Sequence, residues 1–121
     1  MLTNETIEAF NSRLTVNINT IKTMSPSEQD RVKAHGSEAE ALLKNKHLAM
    51  FIHQYKFEIT DQLVAITGHT EEDNNRRIGL SNQLAGIDGF ISSLQRAVYM
   101  KNRVVTQQTG PTLKLKENEV L

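Results

Sequence analysis

A long run of evenly spaced apolar residues in the second half of the chain constrains its fold most strongly. Leucine, isoleucine and valine recur there at intervals of four and three residues, the spacing that aligns side chains on one face of an α-helix. Proline, which would interrupt a helix, occurs only at positions 26 and 111. The pattern therefore predicts one helix from Glu71 to about Val105, on the order of 50 Å long at about 1.5 Å per residue. The stripe consists of Leu80, Leu84, Ile87, Ile91, Leu94 and Val98.

A second apolar stripe precedes this helix. It predicts a helix that ends near Thr67, with Gly68 as its C-terminal cap. Thr70 is expected to cap the following helix, whose first turn carries acidic residues that suit the helix dipole. Because the connection over 68–70 is short, the two helices should form an antiparallel hairpin. The second stripe consists of Leu48, Ile52, Tyr55, Ile59, Leu63 and Ile66.

Capping signals predict further helices before the hairpin. The stretch 25–28, Ser-Pro-Ser-Glu, is typical of a helix start, with a capping serine and a proline in the first turn. We expect Gly36 to end this helix and Ser37 to cap the next one. That helix should continue, with a kink near Asn45, to the end of the second stripe.

The beginning of the chain fits two kinds of secondary structure. Apolar residues keep helical spacing over the whole of 4–23, which favours a helix, although residues 12–22 also alternate as a strand would. The chain has 121 residues, a length that suggests one domain. We therefore predict an all-α fold with a single helical domain over 1–107. Shorter N-terminal helices in 1–36 pack on a hairpin of two long helices in 37–107, and an extended tail follows at 108–121.

Three glycines inside the long predicted helix, at positions 79, 86 and 89, need an explanation. Each costs about 0.5–1 kcal/mol relative to alanine, and all three lie away from the main stripe. The preceding helix has a second apolar stripe of its own, and a hairpin uses only one face of each helix. The second faces should therefore meet residues 4–44 of the same chain, or another subunit or a larger assembly, unless the glycines are simply tolerated at solvent-exposed positions. The candidate interface residues are Met50, Phe57, Val64, Gly79, Gly86, Gly89, Phe90 and Ser93.

The composition excludes several kinds of chemistry. There is no cysteine, which rules out disulfides, thiolate catalysis and cysteine-ligated metals. The 14 basic and 14 acidic residues balance, which argues against a dedicated nucleic-acid-binding protein. The N-terminal segment is neither basic nor continuously apolar, so we expect no signal peptide. No apolar run is long enough to predict a membrane span.

The sequence shows no catalytic or metal-binding motif. A Glu-x-x-His pair, as used in di-iron helical bundles, is absent. The spacing of His69 and Glu72 is the nearest to a metal site, and Glu58 with Asp61 could share a helix face as an acid pair. Both pairs are typical of solvated helix positions, and no phosphate-binding loop or activated nucleophile is present. We therefore expect no catalytic residue, no cofactor and no metal.

The middle of the chain, about residues 41–99, resembles a group of small helical proteins of unknown activity from tailed-phage and prophage genomes, often encoded near packaging and head-assembly genes. The resemblance is carried by the stretches at 42–48, 73–80 and 85–88 and by Leu94 and Val98. It implies a virion or assembly component located in the host cytoplasm or the virion. A shared pair, Asp73 and Arg77, would form an ion pair across one helical turn at the helix start.

Together these patterns predict a non-enzymatic protein that acts through helix–helix contacts with protein partners. It would form a homo-oligomer or dock on a larger phage assembly. The alternative is a small phage regulatory or packaging-accessory protein that binds nucleic acid or a host protein.

Overall fold

The computed structural model describes residues 2–109, apart from the side chains of Ile18 and Thr109. Within these residues the chain forms helices and no strand, which confirms the predicted all-α fold. The elements are α1 (Asn4–Asn11), a 3₁₀ helix (Ile18–Thr23), α2 (Pro26–Leu43), α3 (Lys46–Ala65) and α4 (Glu71–Thr109).

The longest element is α4, and every other element in 18–65 packs against it. Its 39 residues extend about 58 Å at about 1.5 Å per residue. Thr70 caps it as predicted, because its Oγ1 accepts a hydrogen bond of 3.1 Å from the backbone N–H of Asp73. The Asp73 carboxylate accepts one of 3.3 Å from the Thr70 N–H in return. The helix continues beyond Val105 through residues 108 and 109, which the sequence pattern assigns to the tail. The rest of the predicted tail, 110–121, lies outside the described residues.

The prediction that Gly36 ends a helix is wrong. α2 runs through this position without a break, and Gly36 is buried where α2 crosses α4. A Cβ on Gly36 would lie 2.7 Å from the backbone oxygen of Ala97 and would also meet the side chain of Lys101. The glycine therefore allows two helix backbones to approach closely, a role that local sequence signals do not distinguish from a helix stop. The predicted boundary between residues 36 and 37 consequently falls inside α2.

The chain breaks instead at Asn45, where the sequence predicts a kink. The Asn45 side chain accepts a hydrogen bond of 2.9 Å from the N–H of Leu48 and caps α3. Beyond this break α3 contacts the N-terminal half of α4. Lys56 forms an ion pair of 2.9 Å with Asp88 across the two helices.

Two separate apolar clusters lie along α4. One joins α4 to α2 and the 3₁₀ helix, and the other joins α4 to α3. The first consists of Ile21, Val32, Met100 and Val104, with Leu14, Val16 and Met24 packed against it. The second consists of Ile59, Ile66 and Leu80, with Leu63 and Leu84 packed against it. The predicted stripes of α3 and α4 supply all of the second cluster.

The N-terminal region is only partly helical, so the expectation of one helix over 4–23 is wrong. α1 ends at Asn11. Residues 13–17 form neither helix nor strand, and the 3₁₀ helix follows with Asn17 as its cap. The short side chain of Asn17 accepts a hydrogen bond from the N–H of Asn19, a local bond that starts the 3₁₀ helix.

The connection between α3 and α4 differs from the prediction in two respects. α3 ends at Ala65, and Gly68 does not take the left-handed conformation of a helix cap. Gly68 instead leaves room for the Asp73 carboxylate, which occupies the position of a Cβ. The expected ion pair between Asp73 and Arg77 is not formed. Arg77 donates to the backbone oxygens of Ile66 and Gly68 instead, and so ties the end of α3 to the start of α4.

Candidate interaction surface

The outer face of α3 carries large apolar side chains that are mostly exposed. Met50, Phe57 and Val64 are 68%, 66% and 74% exposed and follow one another at seven-residue intervals. At about 100° per residue, Phe57 lies roughly 200° around the helix from the buried Ile59, so this face points away from α4. We refer to Met50, Phe57 and Val64 as the outer strip.

The glycines of α4 lie on an open helix face. A Cβ at Gly79, Gly86 or Gly89 would meet no atom within 4 Å. Among the described residues, 4–44 therefore do not cover these glycines, which leaves contact with another molecule or simple exposure to solvent as the explanation. Ser93 is exposed one heptad after Gly86, and Phe90 beside it is partly exposed. We refer to Gly79, Gly86 and Ser93, which are also seven residues apart, as the glycine strip.

The glycine strip continues a face of α4 that is already used for helix packing. By helical spacing, Ala97 and Val104 lie on the same side of α4 as Gly79 and Gly86. α2 covers this side where Gly36 meets Ala97, but it stops short of the glycines. This face of α4 is therefore covered by α2 over its C-terminal part and open over its N-terminal part.

The two strips complement each other in size and spacing. Each has three positions at seven-residue intervals, large in α3 and small in α4. Large side chains at this spacing insert between the small side chains of a facing helix, as in coiled-coil packing. The two strips face different directions. The outer strip lies on the side of α3 that points away from α4. The glycine strip lies roughly 120° around the α4 axis from the α4 face that meets α3. The eight predicted interface residues are thus exposed on two surfaces rather than gathered on one.

The residue pairs considered for chemistry show no catalytic arrangement. Glu58 and Asp61 are exposed, and Glu58 accepts a hydrogen bond of 3.1 Å from Gln54 one turn earlier. His69 and Glu72 are exposed at the α3–α4 connection. Among residues 2–109, no three histidine, aspartate or glutamate side chains lie close enough together to hold a metal ion.

The sequence reasoning singled out Arg77 but gave it the wrong partner. The role of Arg77 depends on backbone oxygens of α3, and no sequence spacing reports the position of those atoms. The nearby Asn74 also accepts a bond of 2.8 Å from Arg77, which holds the guanidinium in place. By bonding the end of α3 to the start of α4, Arg77 helps to fix the orientation of α3 relative to α4. The direction of the outer strip depends on that orientation.

None of the helices in the described part of the chain is both long and apolar enough to cross a membrane.

Comparison with protein-family models, with curated proteins and with solved structures finds no significant match to this chain. Nothing in these comparisons links it to phage genomes.

Proposed function

We propose that this chain is a non-enzymatic interaction protein that self-associates through helix–helix contacts and serves as a small structural or assembly component. The observation that carries the proposal is the outer strip, three large apolar side chains left exposed in a row. Single exposed apolar residues are normal, but three large ones repeated at regular intervals on one helix face are typical of a protein–protein contact.

In the proposed contact, the outer strip of one copy packs onto the glycine strip of the next. The antiparallel hairpin of α3 and α4 presents both strips on rigid helices. Phe57, the central large residue, would lie over Gly86, the central small one. The crossing of Gly36 with Ala97 inside each chain supports this arrangement, because it shows that the same side of α4 accepts a helix at close range.

The energetics favour weak, concentration-dependent association. Burying an apolar side chain of this size stabilises a contact by about 1.5–3 kcal/mol, or roughly 5–9 kcal/mol for the three together. Association costs an estimated 4–15 kcal/mol in lost freedom of motion. A single contact is therefore marginal, and stable assemblies need several copies or high local concentration.

The placement of the strips determines the kind of assembly. Because one copy uses its outer strip and the next copy uses its glycine strip, the contact is heterologous. A chain of copies joined in this way still has a free strip of one type at each end. Heterologous contacts generate closed rings or open filaments rather than isolated two-fold dimers. A setting in a tailed-phage virion or assembly pathway is part of the proposal and is supported only by the sequence resemblance.

The substitution Phe57→Asp tests the proposal. A charge in the middle of the outer strip would have to be buried against a helix, so we expect the variant to remain monomeric. Wild-type protein should increase in mass with concentration. Both are measured by size-exclusion chromatography with light scattering. Gln62→Asp is the matched control, because it adds the same charge at an exposed position of α3 outside the strip.

A wild-type protein that stays monomeric at every concentration would contradict self-association. Salt-dependent binding of DNA by that monomer would favour the alternative of a nucleic-acid-binding accessory protein. Assembly that survives Phe57→Asp would place the contact on a different surface.

A further inference from the structure

A cavity of about 300 Å³ lies between α2, α4 and the segment 13–17. Its floor is apolar and consists of the buried residues Val32, Ala97 and Met100. Leu14 and Val16, both partly buried, form one side. This volume is at the lower end of the range for small-molecule sites, which are mostly apolar with a few polar groups.

The cavity is also lined by polar residues, of which Thr15 belongs to the segment 13–17 and three others lie on the helices. Arg96 and Ser93 reach it from α4 and His35 reaches it from α2. None of the three forms a hydrogen bond or an ion pair with a residue in 2–109. No aspartate or glutamate lines the cavity, so the Arg96 charge has no counter-ion there.

Two arginines near the cavity, Arg31 and Arg13, have structural partners. Arg31 donates a hydrogen bond of 3.0 Å to the backbone oxygen of Ser12 and holds the N-terminal segment against α2. Arg13 donates one of 2.7 Å to the backbone oxygen of Phe10 and lies over its ring. Arg96 differs from both because its guanidinium is free at the mouth of an apolar cavity.

We propose that this cavity binds a small amphipathic carboxylate, with the apolar chain on the floor formed by Val32, Ala97 and Met100 and the carboxylate on Arg96. A guanidinium pairs with a carboxylate through two parallel hydrogen bonds, and the Ser93 hydroxyl can donate a third. Arg96 and the floor of the cavity lie outside the outer strip and the glycine strip, and Ser93 is the residue that this site shares with the glycine strip.

Titration with decanoate, below the concentration at which it forms micelles, tests this site. Backbone amide shifts in NMR spectra locate the binding, and we expect them to centre on α4 near Arg96 and on residues 14–16. Decyltrimethylammonium carries the same chain with the opposite charge and should not bind there. Decanol, without charge, should bind more weakly than decanoate.

The variant Arg96→Gln should weaken decanoate binding about tenfold or more, because a charge-assisted pair is lost while the floor is unchanged. Arg76→Gln is the matched control, since it removes an exposed arginine from the other end of α4 and should leave binding unchanged. Equal affinity for decanoate and decanol, or no effect of Arg96→Gln, would overturn the proposal. So would shifts confined to the outer strip, or binding to anionic phospholipid vesicles without binding of free decanoate.

Discussion

Gly36 and Gly86 are both helical glycines, and their surroundings give them different roles. At Gly36 the space for a Cβ is filled by the Ala97 backbone and by Lys101. At Gly86 the same space is empty. The first glycine is therefore required by the fold of the single chain, whereas the second destabilises its helix without any compensating contact inside the chain.

Replacing each glycine with alanine should change stability in opposite directions. We expect Gly36→Ala to lower the free energy of unfolding by about 1–3 kcal/mol, because the added methyl forces α2 and α4 apart. Gly86→Ala, the matched control, should raise it by up to about 1 kcal/mol through helix propensity alone. Urea unfolding at low protein concentration measures both. Equal stabilisation by the two changes would show that α2 and α4 do not pack closely at Gly36.

At the scale of elements, one ion pair links α2 to α4 beside the Gly36 crossing. Lys101 donates a hydrogen bond of 2.5 Å to Glu40, and Lys44 donates one of 3.0 Å. These two hydrogen bonds lower the pKa of Glu40 below its usual value of 4.5, and the bond from Lys101 has the larger effect. Because the folded-state pKa is lower than the unfolded one, this pair stabilises the fold above the unfolded pKa. That contribution is lost as the pH falls through the folded pKa.

Glu40→Gln should therefore destabilise the protein at neutral pH and have a smaller effect in acid well below pH 4.5, the usual pKa of this group. The measurement is the thermal unfolding midpoint of wild type and variant as a function of pH. Glu38→Gln is the control, because it makes the same change on the exposed face of α2. A difference between wild type and Glu40→Gln that stays constant across the acid range would contradict the assigned role of the pair.

At the scale of the whole molecule, α4 organises the protein through two of its sides. One side packs against α3, a second side packs against α2 over the C-terminal half, and the same second side is open over the N-terminal half as the glycine strip. Within 2–109, more large apolar side chains are exposed than are buried. This distribution is consistent with the self-association proposed above.

The substitution Gly86→Leu separates folding from assembly. Since nothing lies within 4 Å of this position, the leucine should fit and raise monomer stability by up to about 1 kcal/mol. It should also fill the space that Phe57 of the next copy needs, and so reduce the mass of the assembly measured by light scattering. Ser92→Leu, an exposed change on the polar side of α4, should leave the mass unaltered. A variant that assembles like wild type would show that the glycine strip is not the contact.

The sequence by itself determined the all-α fold, the main stripes of α3 and α4 and the Thr70 cap, because these depend on helical period and on hydrogen bonds between near neighbours. It also singled out Met50, Phe57, Val64 and the α4 glycines as positions that the predicted hairpin does not need. Only the tertiary structure decided that Gly36 lies inside a helix and that Arg77 bonds α3 rather than Asp73. It alone showed that α2 stops before the glycines. These features depend on how close two backbones approach and on where distant carbonyl groups lie, and neither quantity is encoded in local spacing.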